Sequence, residues 1–340
     1  MKKAVLIFMA VLVWAGVAWA EEQTTVNSED VYVLDEVVVT ATRDQESIYK
    51  VPAKVSVITE DEIKTSGASN VVELFDKLEG IYIRSYSGNP AESIIDIRGF
   101  GGDNPNGKTL VLLNGMRLNR PDMKSINWSQ IPINTIERIE VVRGASSAMY
   151  GDAAIGGVIN IITKKGDGPL KANAAVLAGS YGFHNESAGI TGSHEKWNYA
   201  LTGENSSSDG YRDRSEFSSQ SGGFYLGYKV SDSFNMSLGG SFTKTDYQMP
   251  GALTEEEMKQ DRRQAKNSDD DGSDKYTNVN LNIQALMNHL GQLDVQVLYG
   301  KKELQSNMAS YYTPVYSDVD IDTYALMPKY VLTKDIFDFK

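Results

Sequence analysis

The sequence contains no cysteine and only three histidines among its 340 residues. The absence of cysteine excludes a disulfide scaffold, a zinc–thiolate or iron–sulfur site and a cysteine nucleophile. The histidines, His184, His194 and His289, show no metal-binding spacing. No Ser-His-Asp or paired-carboxylate arrangement can be assigned to one pocket, so the sequence predicts a protein that is not an enzyme.

Positive charge and long apolar runs are also scarce. The 33 Lys and Arg residues are outnumbered by 45 Asp and Glu residues, which gives a net charge of −12. Because nucleic-acid affinity comes largely from Lys and Arg at phosphates, DNA or RNA is not an expected partner. After residue 20 no stretch is apolar enough for a membrane-spanning helix. The 30 glycines and 18 tyrosines leave a membrane protein built of strands as a possible class.

The N-terminus has the pattern of an export signal. Lys2 and Lys3 precede an apolar stretch over residues 4–17, and Ala18-Trp19-Ala20 is a small-x-small cleavage site. We predict a signal peptide over residues 1–20, with an uncleaved anchor helix as the alternative. The polar residues that follow predict a flexible segment over residues 21–50.

One extended segment interrupts this flexible region. Residues 35–43 contain the β-branched run Val37-Val38-Val39 and predict a short strand. A lone strand leaves its backbone N–H and C=O groups unpaired. It therefore either joins a sheet of its own domain or pairs with the sheet edge of a partner.

Residues 51–166 predict a compact α+β domain with a small mixed sheet. A helix should begin after Thr59, because Thr59 and Glu62 form a capping-box pattern, and a second amphipathic helix is predicted over residues 71–78. Glycine punctuation separates the predicted strands. These strands cover residues 55–58, 81–84, 94–98, 109–113, 136–142 and 157–163.

A phosphate-loop pattern occurs at residues 102–109. The pattern G-x-x-x-x-G-K-[ST] ends at Lys108-Thr109. Phosphate binding requires a helix to begin at that point. Here residues 109–113 instead predict a strand that runs into an Asn114-Gly115 turn, so we interpret the match as a surface loop.

From residue 170 onward, apolar and polar residues alternate with period two. Val279, Leu281 and Ile283, for example, alternate with asparagines. Short connections at 193–195, 231–233, 287–291 and 333–335 alternate with long polar ones at 206–220, 244–275 and 301–317. This arrangement favours an antiparallel transmembrane β-barrel with its apolar face in lipid over a soluble sandwich. Eight complete strands are predicted, the last ending near Leu332.

At this point several phrases, in one order, resemble the TonB-dependent outer-membrane receptors. Residues 35–43 resemble the TonB box of that family, and residues 51–166 resemble its plug domain. The matching phrases are Val55-Ser56-Val57-Ile58-Thr59, Leu78-Glu79-Gly80-Ile81, Ile97-Arg98-Gly99, Leu112-Leu113-Asn114-Gly115-Met116-Arg117, the run from Ile136 to Gly151, and the run from Ala154 to Thr163.

The resemblance implies an α+β plug domain followed by an antiparallel barrel, of which residues 167–340 are the N-terminal part. Family barrels have about 22 strands of about 10 residues, whereas only 170 residues follow residue 170. About eight strands fit, so the barrel is expected to be truncated here. We expect either a fragment of a longer receptor or a product that cannot close alone.

The resemblance also implies function and partners. The protein is expected in the outer membrane, in contact with its lipid, taking up a scarce ligand with energy from TonB and the ExbB/ExbD complex. A ferric siderophore is the first expectation and cobalamin the alternative. A non-transporting structural or adhesive surface protein is the alternative of another class. TonB would bind by strand addition through Glu36, Val37, Val38, Val39, Thr40 and Ala41.

Site residues follow from the same resemblance. Arg98 and Arg143 are expected to pair with barrel glutamates at the boundary between plug and barrel. Ligand contacts are expected at the plug apex and in the barrel loops above it, where Arg and Tyr suit an anionic aromatic chelate. The expected contacts are Arg84, Tyr86, Asn119, Arg120, Tyr211 and Tyr247.

An acidic loop over residues 254–274 contains eight carboxylates. Oxygen ligands at this density suggest a calcium site formed by Asp269, Asp271 and Asp274, as in some cobalamin-type receptors. EF-hand spacing is absent, and a solvated acidic loop is the alternative.

Overall fold

The computed structural model describes residues 38–39, 46–47, 53–84, 93–100, 107–120, 126–287, 290–308 and 313–332. The chain divides into two compact units, residues 1–37 and 38–340, and the first lies outside the described residues. The predicted signal peptide, most of the predicted TonB box, Tyr86 and most of the phosphate-loop pattern therefore lie outside as well.

Two residues of the predicted TonB box lie in a short ladder. Strand β1, Val38–Val39, pairs antiparallel with β2, Glu46–Ser47, in the register Val38 to Ser47. This ladder is separate from the sheet of the next domain, and pairing of the segment with a partner stays a prediction. A ladder of two residues per strand is a marginal structure on its own.

The next part of the chain forms a mixed sheet, as predicted. In the plug region, defined as residues 53–163, five strands lie in the order β3-β8-β9-β6-β7, and β4 pairs separately with β5. β6 and β9 are parallel and the other pairs are antiparallel. The strands are β3 Lys54–Ile58, β4 Ile81–Arg84, β5 Ile94–Ile97, β6 Thr109–Leu113, β7 Met116–Arg117, β8 Ile136–Arg143 and β9 Gly157–Thr163.

One of the two predicted helices forms. Helix α1, Glu60–Thr65, begins after Thr59, whose hydroxyl accepts from the Glu62 N–H at 3.3 Å while the Glu62 carboxylate accepts from the Thr59 N–H at 2.8 Å. The helix predicted over residues 71–78 is wrong. Only a 3₁₀ turn, Val72–Phe75, forms there, because the backbone bonds are of the i→i+3 type, from the Leu74 N–H to the Val71 carbonyl and from the Leu78 N–H to the Phe75 carbonyl.

The hydrophobic core of the plug region lies between these elements. Phe75, Ile97, Ile139 and Ile159 are 0% exposed. The 3₁₀ turn Trp128–Gln130 adds Trp128, whose ring lies edge-on to Phe75 with the centroids 5.6 Å apart. Two further short elements are the 3₁₀ turn Ile133–Thr135 and helix α2, Ser147–Tyr150.

The structure describes the C-terminal end of the phosphate-loop pattern, and a strand begins there as predicted. Thr109 begins β6 rather than a helix, and β6 turns into β7 through Asn114 and Gly115, with φ of 51° and 83°. Positive φ at both central residues is the requirement of a type I′ turn, which Asn-Gly meets at low cost. The helix end that would cradle a phosphate is absent from this position.

The remaining strands form one antiparallel sheet of eight, the wall sheet, in sequence order from β10 to β17. Within the ranges that the structure describes, the predicted count of eight and the predicted end near Leu332 are confirmed. The strands are β10 Lys171–Ala178, β11 His184–His194, β12 Trp197–Ser208, β13 Phe217–Ser231, β14 Phe234–Gln248, β15 Asp271–Leu286, β16 Gln292–Met308 and β17 Val315–Val331.

The strands run further into polar sequence than predicted. β14 continues to Gln248 and β15 starts at Asp271, so the loop between them is shorter than the expected 244–275. Backbone pairing continues where side chains become polar, because the ladder depends on register and not on hydropathy. Helix α3, Glu255–Gln260, lies inside this loop and carries a Thr254–Glu257 capping box that the prediction missed.

The wall sheet has two chemically different faces. Leu226, Leu238, Leu281, Val297 and Leu326 are successive register partners and share the outer face. Large apolar side chains remain exposed along this face, among them Phe224 at 43% and Leu326 at 67%. The predicted alternation of faces is therefore observed. Among the described residues, helices of the length and apolar character needed to cross a membrane are absent.

This orientation yields a paired prediction at adjacent positions of β15. Leu281→Lys should destabilise the membrane-assembled protein by about 2–4 kcal/mol, because it places a charge on the expected lipid face. Asn282→Lys, on the opposite face, should cost far less. Urea unfolding in lipid vesicles measures both, and equal losses would contradict the assigned faces.

Candidate functional site

The two predicted boundary arginines occupy different environments. Arg143 is 4% exposed, and its Nε donates to the Glu79 carbonyl at 3.1 Å and its Nη1 to Ser56 Oγ at 2.6 Å. Burial, together with the positive charge of Arg98, lowers the pKa of the Arg143 guanidinium from its ordinary value. Arg98 is exposed, with φ of 60°. Pairing of both with barrel glutamates stays a prediction.

The predicted apex residues are only partly in loops. Arg84 is the last residue of β4 and forms an ion pair with Asp96, which is 3% exposed, at 3.5 Å. Arg120 is half-buried, and its charge acts on the phenol of Tyr276 in β15. Arg120 therefore lies near the wall sheet. The Arg84 guanidinium is instead paired with a carboxylate of the plug region.

The Asn119 side chain is buried and hydrogen-bonded to the backbone of the plug region. It is 5% exposed, its Oδ1 accepts from the Val111 N–H at 2.8 Å, and its Nδ2 donates to the Thr109 carbonyl at 3.0 Å. Both ends of the carboxamide thus satisfy the backbone of β6. The sequence could not reveal this, because the two segments are joined through the β6–β7 turn and not by a local pattern.

The two predicted loop tyrosines are not brought together. Tyr247 lies in β14, is 7% exposed, and approaches Asp274 with its hydroxyl 3.5 Å from Oδ1. Tyr211 is 46% exposed in the loop after β12. Its ring lies edge-on to Tyr181 at 5.5 Å, with the Arg263 guanidinium 5.8 Å from its centroid. Only Tyr211 is an exposed loop residue, as expected.

The three carboxylates predicted for calcium do not converge. Asp271 and Asp274 lie in β15, three residues apart and therefore on opposite faces of the strand, and Asp274 is 4% exposed while Asp271 is exposed. Asp269 is an exposed loop residue. In the part of the chain that the structure describes, groups of three His, Asp or Glu side chains able to hold a metal are absent.

Arg212 joins the two long loops, a role that the sequence did not indicate. Its Nη1 donates to the Gly251 carbonyl at 2.6 Å and its Nη2 to the Gln264 carbonyl at 2.8 Å. The Asp213 N–H also donates to the Arg263 carbonyl at 2.7 Å. One guanidinium thus positions the loop over residues 249–270 against the loop over residues 209–216.

A cleft of about 550 Å³ opens at the loop ends of the wall sheet. It lies at the strand ends, where both faces contribute side chains. Four carboxylates line it, whereas its lining contains neither Lys nor Arg. They are Asp209, Glu216, Asp246 and Asp271, beside Phe217 and Tyr247. The volume suits a small molecule, and the charge disfavours an anion.

Polar contacts between the plug region and the wall sheet complete the site. Asn127 Nδ2 donates to Asp274 Oδ2 at 2.7 Å, and Lys302 Nζ donates to the Leu118 carbonyl at 2.9 Å. Lys302 is 8% exposed. Sequence reasoning missed Asn127 and Lys302 and assigned Asp274 to calcium, because polar side chains on a barrel's inner face are expected everywhere and none is distinguished by spacing. The plug-facing face of the wall sheet is thereby identified.

Comparison with known proteins gives a consistent picture. The family described as TonB-dependent Receptor Plug Domain matches residues 47–158. The vitamin B12 transporter BtuB of Photobacterium profundum is 34% identical over 219 residues, covering 61% of this chain and 35% of that protein. BtuB of Vibrio cholerae serotype O1 (strain ATCC 39541) is 39% identical over 128 residues, covering 38% of this chain and 20% of that protein.

Solved structures share the fold at lower identity. The unliganded ferric citrate transporter FecA matches with a TM-score of 0.75 at 17% identity, over 84% of this chain and 45% of that one. The ferric yersiniabactin uptake receptor FyuA from Yersinia pestis matches with a TM-score of 0.69 at 17% identity, over 82% and 46%. The chain spans about a third of the length of the first of the curated relatives and under half of these solved chains.

A substitution at Asn119 distinguishes a structural role of this side chain from a ligand-binding role. Asn119→Ala should lower the free energy of unfolding of the plug region by about 1–3 kcal/mol, because the Val111 N–H and Thr109 carbonyl lose their partner. Chemical denaturation of the purified protein measures the change. Unchanged stability with weaker ligand binding would show that the sequence-based assignment of Asn119 to the ligand was right.

Proposed function

The chain belongs to the TonB-dependent receptor family, and from this premise we propose that it forms the plug and first barrel strands of an outer-membrane transporter. The single observation that carries the proposal is the packing of the plug region against one face of the wall sheet while the opposite face is apolar and exposed. An apolar face toward lipid and a polar interior filled by a plug are the arrangement of plugged outer-membrane β-barrels.

The uptake function itself is proposed for the whole protein. The first of the curated relatives is about three times longer than the part matched here, so the ligand vestibule of the whole receptor is part of this proposal. Energy is proposed to come from TonB with ExbB/ExbD in the inner membrane, through strand addition at residues 36–41. The β1–β2 pair supports the ability of this segment to adopt an extended, hydrogen-bonded conformation.

We propose a corrinoid of the vitamin B12 type as the ligand. Two observations support this order of preference over a ferric siderophore, which the sequence placed first. The curated relatives at 34% and 39% identity are vitamin B12 transporters. In addition, four carboxylates line the cleft at the loop ends. Lys244 pairs with Asp246, and the other three carboxylates repel the anionic ferric chelates that many siderophores form.

The ligand proposal is tested by equilibrium binding to outer-membrane vesicles that contain the full-length receptor. Vitamin B12 should bind and should not be displaced by an excess of ferric siderophore. Displacement, or binding of the siderophore alone, would restore the siderophore assignment. Absence of both, together with absence of uptake, would favour the structural or adhesive alternative.

Energy coupling is tested at the strand proposed to pair with TonB. Val38→Pro removes one backbone donor and should abolish uptake while the ligand dissociation constant stays unchanged. Val38→Ile, which keeps the donor and the β-branched shape, is the matched control and should transport normally. Radiolabelled ligand uptake in whole cells measures both, and normal uptake by Val38→Pro would refute coupling through this strand.

A further inference from the structure

Two long loops meet at the loop ends of the wall sheet, and we call them the loop pair. They cover residues 209–216, between β12 and β13, and residues 249–270, between β14 and β15. At their bases they continue the strand ladders. The Gln248 N–H donates to the Glu216 carbonyl at 2.9 Å, and the Met249 N–H donates to the Asp270 carbonyl at 3.0 Å. Contacts further from the sheet determine whether the two loops move as one body.

Arg212 provides such contacts from the first loop to the second. Its guanidinium makes four hydrogen bonds to described residues, and all four acceptors are backbone carbonyls of the 249–270 loop. Nη1 donates to Gly251 at 2.6 Å. Nη2 donates to Gln264 at 2.8 Å and to Pro250 at 3.3 Å, and Nε donates to Gln264 at 3.3 Å. We call these four bonds the joint. A planar fork of donors reaches two separate stretches of the loop at once, which a lysine ammonium does not match.

The 249–270 loop is also ordered by contacts of its own. The Lys266 N–H donates to the Pro250 carbonyl at 2.7 Å. Gln264 Nε2 donates to the Glu257 carbonyl of helix α3 at 2.7 Å. Loss of the joint would therefore release this loop as a body rather than unfold it.

The loop pair forms part of the cleft described above. Four residues at the bases of the two loops line the cleft, and these are Asp209, Glu216, Gln248 and Asp271. Next to the joint, the Asp213 N–H donates to the Arg263 carbonyl at 2.7 Å, and the Arg263 guanidinium lies 5.8 Å from the ring centroid of Tyr211. The position of one loop against the other therefore sets both the shape of the cleft and the groups presented beside it.

We propose that Arg212 is a positioning residue for ligand binding. The joint holds the loop pair, before the ligand arrives, in the arrangement that binding requires. This inference deepens the proposed uptake function and rests on it. A ligand that meets loops already in place does not have to order them, and the affinity falls in proportion when the competent arrangement becomes a minor one.

The test compares variants of the full-length receptor in outer-membrane vesicles, with vitamin B12 as the probe. Arg212→Ala removes the joint, and Arg212→Lys keeps the charge without the fork. If the loop pair is then correctly arranged about a tenth of the time, the dissociation constant should rise about tenfold in both variants. Arg262→Ala is the matched control, because Arg262 is an exposed arginine of the same loop, and its dissociation constant should stay unchanged.

Two further measurements separate positioning from a structural role alone. In whole cells, Arg212→Ala should raise the apparent KM for vitamin B12 uptake and leave the maximal rate unchanged, because the loops are in place once the ligand is bound. In the ligand-free receptor, the same variant should speed amide hydrogen exchange at Asp213. Exchange at Lys266 and along β13 should stay slow, which shows that the loop and the sheet remain folded.

Faster exchange at Asp213 with an unchanged dissociation constant would overturn the proposal, because the joint would then be structural only. Unchanged exchange, normal affinity of Arg212→Lys, or an equal loss of affinity in Arg262→Ala would overturn it as well. Failure of the ligand proposal is recognised separately, because the unaltered receptor would then bind no vitamin B12. A ferric siderophore that it does bind then replaces vitamin B12 in the same comparison, and a receptor that binds neither ligand would refute the role of Arg212 together with the uptake function.

Discussion

The alternation of side chains along hydrogen-bonded strands is the constraint on which this structure depends. Each register pair in the wall sheet assigns one set of residues to an apolar outer face and the next set to a polar face. The plug region is held by that second face, through Asp274, Thr245 and Lys302. A slip of one residue in any pair would exchange lipid-facing and plug-facing side chains along a whole strand.

Several segments of the plug region contact the wall sheet in the described part of the chain. Asn127, Ser129 and Asn134 supply side-chain contacts with β15, β14 and β12. The Leu118 and Asn114 carbonyls accept from Lys302 and Gln296 of β16. β3, which follows the segment proposed to pair with TonB, is an edge strand with a single neighbour, β8. A force applied at the N-terminus would therefore reach an edge strand of the plug sheet before its central strands.

Local sequence signals predicted the local features and failed where distant segments meet. The Thr59–Glu62 capping box and the period-two strands depend only on residues close together in the sequence, and both are present in the structure. The helix over residues 71–78 failed because apolar spacing does not distinguish an α-helix from the 3₁₀ turn with i→i+3 bonds that forms there. Asn119 and Asp274 were expected to face ligand or metal, whereas the partners that occupy them in the structure are joined to them only through tertiary contacts. The Arg212 contacts between loops left no sequence signal for the same reason.

The central claim is that the wall sheet lies with one face in lipid and the other against the plug. Nitroxide labels placed singly on cysteines along residues 277–285 measure this directly, since the described chain has no other cysteine. In outer-membrane vesicles, accessibility to oxygen should be high at Val279, Leu281 and Ile283 and low at Asn278, Asn280 and Asn282. A uniform accessibility to a water-soluble reagent along the strand would contradict the account.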